Sequence, residues 1–288
     1  MNDRRRVRHS RVQDSTGREI RNRGMRLKKA LAVPVRWFRS FVSAETPIYA
    51  YEPTHEVVND YAEFSGLSID EIARCINVNT ELNQQNWEAI RGSGSWQGAA
   101  SRFYELSPTY VFDLLWLNCS KDVILEKLDR FNPTILRLIR DHPGKDFLEF
   151  GGGLGAFCEI VSAWGKRVTY LDIPGHVLDF ARWRFRKYRL PVEVILSSPT
   201  ELSLDSAYDI IFTDAVFEHL IHPHEVLGEL LGHIKVGGVL ILLIDLGGED
   251  ERPMHRPIDV VSLHRQIREA GLLSAFGENT FASAWIKP

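Results

Sequence analysis

The residues best suited to cofactor chemistry lie between Glu149 and Gly155, where an acidic side chain precedes three glycines at alternate positions. Gly151, Gly153 and Gly155 would let the backbone approach a ligand closely, and the N–H groups at the start of a following helix favour electron-rich partners. Gly151, Gly153 and Ala156 also fit the G-x-G-x-x-G/A pattern of dinucleotide-binding folds. This segment therefore predicts an adenosine-type cofactor without separating nicotinamide or flavin enzymes from other users of such cofactors.

A buried strand and a helix are the elements that would position this segment. Residues 146–150 are apolar enough for a strand covered on both faces, and Leu154 to Ala163 show the apolar spacing of a helix that ends near Gly165. Glu149 interrupts that strand where dinucleotide folds usually carry an apolar residue. A carboxylate at this point suits a cationic ligand.

Three further segments follow in order along the chain. Lys166 to Asp172 has the pattern of a second strand that ends in an acid, and Tyr208 to Leu220 combines a strand with a Glu-His pair. After a helix over residues 224–234, Lys235 to Ile244 forms a Gly-Gly turn into a strand over residues 239–244. Together with Glu149 to Gly155, these segments resemble the motifs of class I S-adenosylmethionine-dependent methyltransferases, in their ubiquinone-pathway-like branch. The resemblance implies an α/β, doubly wound, Rossmann-like sheet of seven strands with the last one antiparallel, preceded by an N-terminal helical cap.

The resemblance also implies S-adenosyl-L-methionine as the cofactor. Asp172 is expected to accept hydrogen bonds from both ribose hydroxyls. Ser198 stands where many relatives have an aspartate for the adenine amino group, and its hydroxyl can accept the same hydrogen bond less strongly. The predicted cofactor-binding residues are Glu149, Gly151, Gly153, Gly155, Asp172, Ile173, Ser198 and Asp214.

Glu218 and His219 are the predicted catalytic residues, because they follow the fourth strand at the edge where doubly wound folds bind ligands. His219 could serve as the general base for an acceptor hydroxyl or amine, or as a structural histidine that braces the loop. Some relatives hold a divalent metal with an additional carboxylate three residues before the glutamate. Here that residue is Ala215 and Asp214 is one position too early, so no metal is expected. Three more histidines in the loops are not ranked by sequence: His222, His224 and His255.

The 288-residue chain is expected to have three parts: a basic arm over residues 1–45, a helical cap or lid over 46–143, and a methyltransferase domain over 144–288. The cap and the loop after the fifth strand contain residues that could surround an acceptor or belong to core and surface. In the cap these are aromatic: Trp87, Trp96, Phe103, Tyr104 and Tyr110. In the loop they are Asp245 and residues 247–256.

The arm is strongly basic although the whole chain has a net charge of −3. Its first two dozen residues have almost nothing apolar and are expected to be disordered, whereas residues 26–42 could form an amphipathic helix that Pro34 bends or breaks. A solvated arm that docks on the protein itself, a contact with anionic membrane, a nucleic-acid contact and a presequence all stay open. Nucleic acid is disfavoured as a partner because no aromatic and basic stripe interrupts the catalytic domain.

Composition agrees with a globular enzyme, since 44% hydrophobic residues can fill a core and no apolar run approaches the roughly 20 residues that span a bilayer. Cys75, Cys119 and Cys158 lack C-x-x-C spacing, which argues against a disulfide framework and a zinc site. These cysteines predict a cytoplasmic protein, with peripheral membrane association left open by the arm.

The predicted function is O- or N-methylation of a small-molecule or glycan-like acceptor by S-adenosyl-L-methionine. Two alternatives remain from the residues alone. Asp172 would serve a nicotinamide-dependent oxidoreductase equally well, and the chain could be a non-catalytic cofactor-binding partner tethered to a membrane or to RNA.

Deletion of residues 1–25 tests the prediction for the arm. The melting temperature and the affinity for S-adenosylhomocysteine should stay nearly unchanged, because the segment has too little apolar surface to join a core. Thermal denaturation and calorimetric titration measure the two quantities. Unfolding of the shortened protein would show that the arm is structural.

Overall fold

The structure is a computed structural model that describes most of the chain after the basic arm. The described residues belong to one compact unit. The arm, Ser198 and residues 246–251 of the loop after the fifth strand lie outside them, so the predictions for those parts stay predictions. The described ranges are 55–92, 94–197, 202–245 and 252–288.

Helices precede the first strand, as the predicted cap requires. Local signals set some of their boundaries: Ser68 begins one helix with a full capping box, in which its hydroxyl accepts from the Glu71 N–H and the Glu71 carboxylate accepts from the Ser68 N–H at 2.8 Å. The helices are α1 Glu56–Ser65, α2 Ile69–Asn77, α3 Asn79–Arg91, α4 Trp96–Leu106, α5 Tyr110–Leu117, α6 Lys121–Phe131 and α7 Thr134–Asp141. None of the helices in the described part of the chain has the length and apolar character needed to cross a bilayer.

The seven-stranded sheet has the order β3-β2-β1-β4-β5-β7-β6. Its strands are β1 Asp146–Phe150, β2 Arg167–Asp172, β3 Val192–Leu196, β4 Tyr208–Asp214, β5 Ile234–Leu243, β6 Leu273–Phe276 and β7 Ala282–Ile286. The connecting helices are α8 Ala156–Ala163, α9 His176–Lys187, α10 Pro223–Gly232 and α11 Val260–Glu269, with a 3₁₀ turn at Phe217–His219. Along this order, β3, β2, β1, β4 and β5 pair in parallel with their neighbours, while β7 is antiparallel to both β5 and β6. This order confirms the predicted doubly wound methyltransferase sheet.

The boundary between α10 and β5 differs from the prediction. The helix ends at Gly232 rather than at Ile234, because Ile234 already pairs with Tyr208 of β4. The next pair is Ile210 with Val239, so β5 accommodates three extra residues and the predicted turn lies within the strand as a bulge. Gly237 makes this bulge possible with a φ of 77°.

A buried ion pair joins the cap to the sheet domain. Arg184 of α9 is 1% exposed and donates to Asp60 of α1 and to Glu159 of α8, both at 2.8 Å. Lys187 and Tyr188 also donate to the Asp60 carboxylate, at 2.8 and 2.6 Å. Burial would raise the pKa of Asp60, but these hydrogen bonds bring it below its usual value. The cap is therefore fastened by charges that are costly to separate.

Replacement of Asp60 by alanine tests this connection. We expect Asp60→Ala to lower the free energy of unfolding by about 3 kcal/mol, because Arg184 would stay buried with one carboxylate fewer. The matched control is Glu63→Ala, which removes the exposed partner of Lys187 and should cost less than about 1 kcal/mol. Urea denaturation measures both, and equal small effects would contradict a structural role for the buried pair.

Candidate active site

The glycine turn connects β1 to α8 at the carboxyl edge of the sheet. Gly151 has a φ of 69°, and a Cβ there would lie 2.4 Å from the side chain of Val216. At Gly155, with a φ of 65°, a Cβ would lie 2.6 Å from the ring of Phe185. These two glycines are required by the packing of the protein itself, in addition to any close approach of a ligand. Gly153 faces the cap instead.

Asp172 ends β2 beside this turn. Its carboxylate accepts hydrogen bonds from the N–H of Gly153 at 2.9 Å, the N–H of Ile173 at 2.8 Å and the hydroxyl of Tyr170 at 3.0 Å. Burial raises the pKa of Asp172, and the three donors oppose that shift. A carboxylate has about four acceptor sites, so Asp172 keeps capacity for a ribose hydroxyl. The N–H of Ile173, a residue predicted to bind the cofactor, thus orients the Asp172 carboxylate.

Glu149 lies beneath the turn and is 6% exposed. Cys158 of α8 donates its thiol hydrogen to Glu149 Oε2 at 2.8 Å. Burial, together with the charges of Asp214 and Asp172, raises the pKa of Glu149 to about 8. The side chain is thus largely protonated at neutral pH, and a cationic ligand would favour its charged form.

Lys127 lies at the candidate site, although no motif in the sequence indicates it. Its ammonium lies 2.7 Å from Asp214 Oδ2, at the end of β4, and 2.9 Å from the amide oxygen of Asn118. Since α6 belongs to the cap, this contact brings a cation across to the cofactor edge. No local pattern distinguishes Lys127 from the other charged residues of its helix.

These groups fit S-adenosyl-L-methionine. Glu149 and Asp214 can balance its sulfonium and ammonium charges, and Asp172 can accept from the ribose. Lys127 can donate to its carboxylate. These four residues, which we call the cofactor cradle, therefore contain both signs of charge, as a zwitterionic cofactor with a sulfonium requires.

Glu218 and His219 lie in the 3₁₀ turn after β4, and their side chains have different surroundings. Glu218 is fully buried, and its Oε1 accepts from the N–H of Asp245 at 3.1 Å. Its Oε2 has no hydrogen-bond partner among the residues that the structure describes. Burial and the charge of Asp245 raise the pKa of Glu218 well above its usual value.

His219 is held by aromatic residues of the cap. Its Nδ1 lies 2.5 Å from the hydroxyl of Tyr104, and its ring makes edge contacts with Tyr104 and Tyr110. Burial and the charge of Arg252 lower the pKa of His219 to about 3, so the ring is neutral. Only the tautomer in which Nδ1–H donates to Tyr104 leaves Nε2 able to take a proton. A role as base therefore depends on that hydrogen bond.

His255 is the other histidine that the fold brings to this place. Its ring centroid is 4.4 Å from that of His219, and it is 3% exposed. His222 is exposed, and His224 is bonded to Gln266 on the surface. The sequence could not rank the three because their separation in space depends on how the chain after β5 returns to the site.

An ion pair between the cap and the chain segment after β5 lies next to His219 and His255. Arg252 donates to Asp245 at 2.8 Å and lies 3.4 Å from Asp113 of α5. Asp113 was missed because it lies within an apolar helix.

The aromatic residues predicted to surround an acceptor have two different locations. Trp87 and Phe103 belong to the core, while Tyr104 and Tyr110 contact His219.

Comparison with known proteins agrees with this geometry. Residues 148–242 match the family model described as a methyltransferase domain. A ubiquinone biosynthesis O-methyltransferase from Paramagnetospirillum magneticum is 28% identical over 129 residues, which cover 40% of this chain and 52% of that protein. A malonyl-[acyl-carrier protein] O-methyltransferase from Serratia marcescens is 33% identical over 107 residues, or 37% and 41% of the two chains. The chain thus spans about half the length of these curated relatives.

The sheet order and the family match together define a class I S-adenosyl-L-methionine-dependent methyltransferase domain. This confirms the resemblance found in the sequence and favours methyl transfer over the nicotinamide alternative. Among solved structures, an O-methyltransferase family protein from Burkholderia thailandensis has a TM-score of 0.49 and 16% identity, over 74% of this chain and 70% of that one.

Proton release on cofactor binding tests whether Glu149 interacts with the positive charge of the cofactor. Because the pKa of Glu149 is about 8 and a bound cation should lower it, binding at pH 7 should release close to one proton, and affinity should rise with pH up to about 8. Calorimetric titration with S-adenosylmethionine in buffers of different ionisation enthalpy measures the release. The control Glu149→Gln should bind without it. Equal release by both proteins would rule out Glu149 as the source.

Proposed function

We propose that this protein transfers the methyl group of S-adenosyl-L-methionine to a hydroxyl oxygen of a small-molecule or glycan-like acceptor bound under the cap. The observation that carries the proposal is the enclosed polar cluster beside the cofactor cradle, in which Glu218 Oε2 lacks a partner among the described residues. Such a cluster is suited to a polar acceptor group. Oxygen is preferred to nitrogen because the two relatives named above are O-methyltransferases.

The proposed reaction is an in-line displacement. The cofactor supplies a methyl group on a positively charged sulfur. As the acceptor oxygen forms its bond to the methyl carbon, the carbon–sulfur pair goes to sulfur and the hydroxyl proton goes to a base. Glu218 and His219 are the proposed groups for holding the hydroxyl and taking its proton.

The cap has a second task in this proposal. Alignment of acceptor and methyl contributes about 7 kcal/mol or more, provided that water is excluded. Tyr104, Tyr110 and Leu114 close the space above His219 and Gly153. We therefore propose that residues 46–143 act as a lid on the domain over 144–288. Peripheral contact of residues 26–42 with anionic membrane remains a prediction.

Methyl-labelled cofactor with fractionated small-molecule extracts tests the function. Label should enter a product, and treatment with alkali separates esters, which lose it, from ethers and N-methyl products, which keep it. Absence of labelled product from every fraction, by protein that binds S-adenosylhomocysteine, would contradict the proposal. A labelled amine would move the activity from oxygen to nitrogen.

Substitution of the proposed catalytic pair tests its role. Glu218→Gln and His219→Gln should each lower turnover by roughly two to four orders of magnitude while cofactor affinity is retained. His222→Gln is the matched control, since His222 is an exposed imidazole in the same loop, and it should be fully active. A fully active His219→Gln enzyme would return His219 to a structural role.

A further inference from the structure

Two buried polar atoms beside His219 are without hydrogen-bond partners in the described part of the chain: Glu218 Oε2 and His255 Nδ1. Glu218 is fully buried and His255 is 3% exposed, so both are shielded from bulk water. Leaving such a group unpaired costs about 1 to 3 kcal/mol. A ligand that binds both atoms would remove this cost.

Asp245 completes a set of three potential ligands. Glu218, Asp245 and His255 each offer one atom, and these atoms all lie within 4.8 Å of one another. Two ligands on opposite sides of a cation at about 2.1 to 2.4 Å are about 4.2 to 4.8 Å apart. The three side chains therefore span a distance that one cation can bridge.

Carboxyl groups are concentrated around this set. Asp113 and Asp245 pair with Arg252, and Glu218 lies beside Asp245, whose N–H donates to Glu218 Oε1. Arg252 donates to Asp245 Oδ2, and a carboxylate can serve a guanidinium and a cation together because it has about four acceptor sites. A divalent cation bound here would offset the cost of burying the charged form of Glu218 beside Asp245.

We propose that Glu218, Asp245 and His255 bind a divalent cation such as Mn²⁺ or Mg²⁺. Two carboxylates and one imidazole are ligands that such cations accept. The set differs from the one that the sequence analysis considered, because it needs neither a carboxylate at Ala215 nor the imidazole of His219, whose Nδ1 is engaged by Tyr104. Three protein ligands leave coordination positions for an oxygen of another molecule.

The cation has a role in catalysis that rests on the proposed function. An acceptor hydroxyl that coordinates it becomes more acidic, as metal-bound water does, and is fixed in position next to His219. Cation binding itself does not depend on which acceptor is methylated.

Titration of the 288-residue, chelator-treated protein with Mn²⁺ tests the site, with free Mn²⁺ followed by electron paramagnetic resonance. The wild-type protein should bind one Mn²⁺, and Asp245→Asn and His255→Gln should each weaken binding roughly tenfold or more. His222→Gln should bind as the wild type does. Melting temperature and S-adenosylhomocysteine affinity establish that each variant is folded.

Two results would overturn the cation site: no Mn²⁺ binding by wild-type protein that binds S-adenosylhomocysteine, or unchanged binding by both folded ligand variants. The first would leave a proton on Glu218, or a cationic acceptor, to balance the charge. Methyl transfer that proceeds unchanged in excess chelator would overturn the catalytic role of the cation and leave the proposed function standing. Stoichiometric Mn²⁺ binding that the ligand variants abolish, without methylation of any acceptor, would support the site and contradict the function.

Discussion

The free-energy cost of placing negative charge in the protein interior governs the carboxyl edge of this sheet. Glu149, Asp172 and Glu218 all have raised pKa values because they are removed from water. They lie along one edge of the sheet because β1, β2 and β4 run in parallel and end there. Lys127 offsets part of this cost, and a cationic cofactor would offset more. The same electrostatic demand thus links the fold, the cofactor and the proposed cation.

The cap takes part in the site because its polar residues are paired with residues of the sheet domain. Tyr104 contacts His219, Lys127 contacts Asp214, and Asp60 contacts Arg184. Each of these contacts joins residues more than 80 positions apart in the sequence. Movement of the cap would therefore alter the cofactor edge and the histidine cluster together.

Much of the cofactor edge was predictable, because its residues stand at the ends of strands whose apolar patterns are strong. The positions of Glu149, Asp172 and Asp214 follow from the motifs alone. The need for glycine at positions 151 and 155 was only partly predictable. It arises also because Val216 and Phe185 fill the space beside Gly151 and Gly155. Contacts of this kind depend on how elements pack, which spacing within one element does not encode.

The sequence by itself determined the order of strands and helices along the chain, the class of the domain and the acids at the carboxyl edge of the sheet, because periodicity and glycine-bearing turns act over short stretches of chain. Tertiary structure decided what the polar residues of the cap and of the loops do. It selected His255 among the loop histidines, engaged His219 with Tyr104, and placed Asp245 against Glu218. The physical reason is that burial and the approach of distant charges set pairing and protonation, and both exist only once the chain has folded.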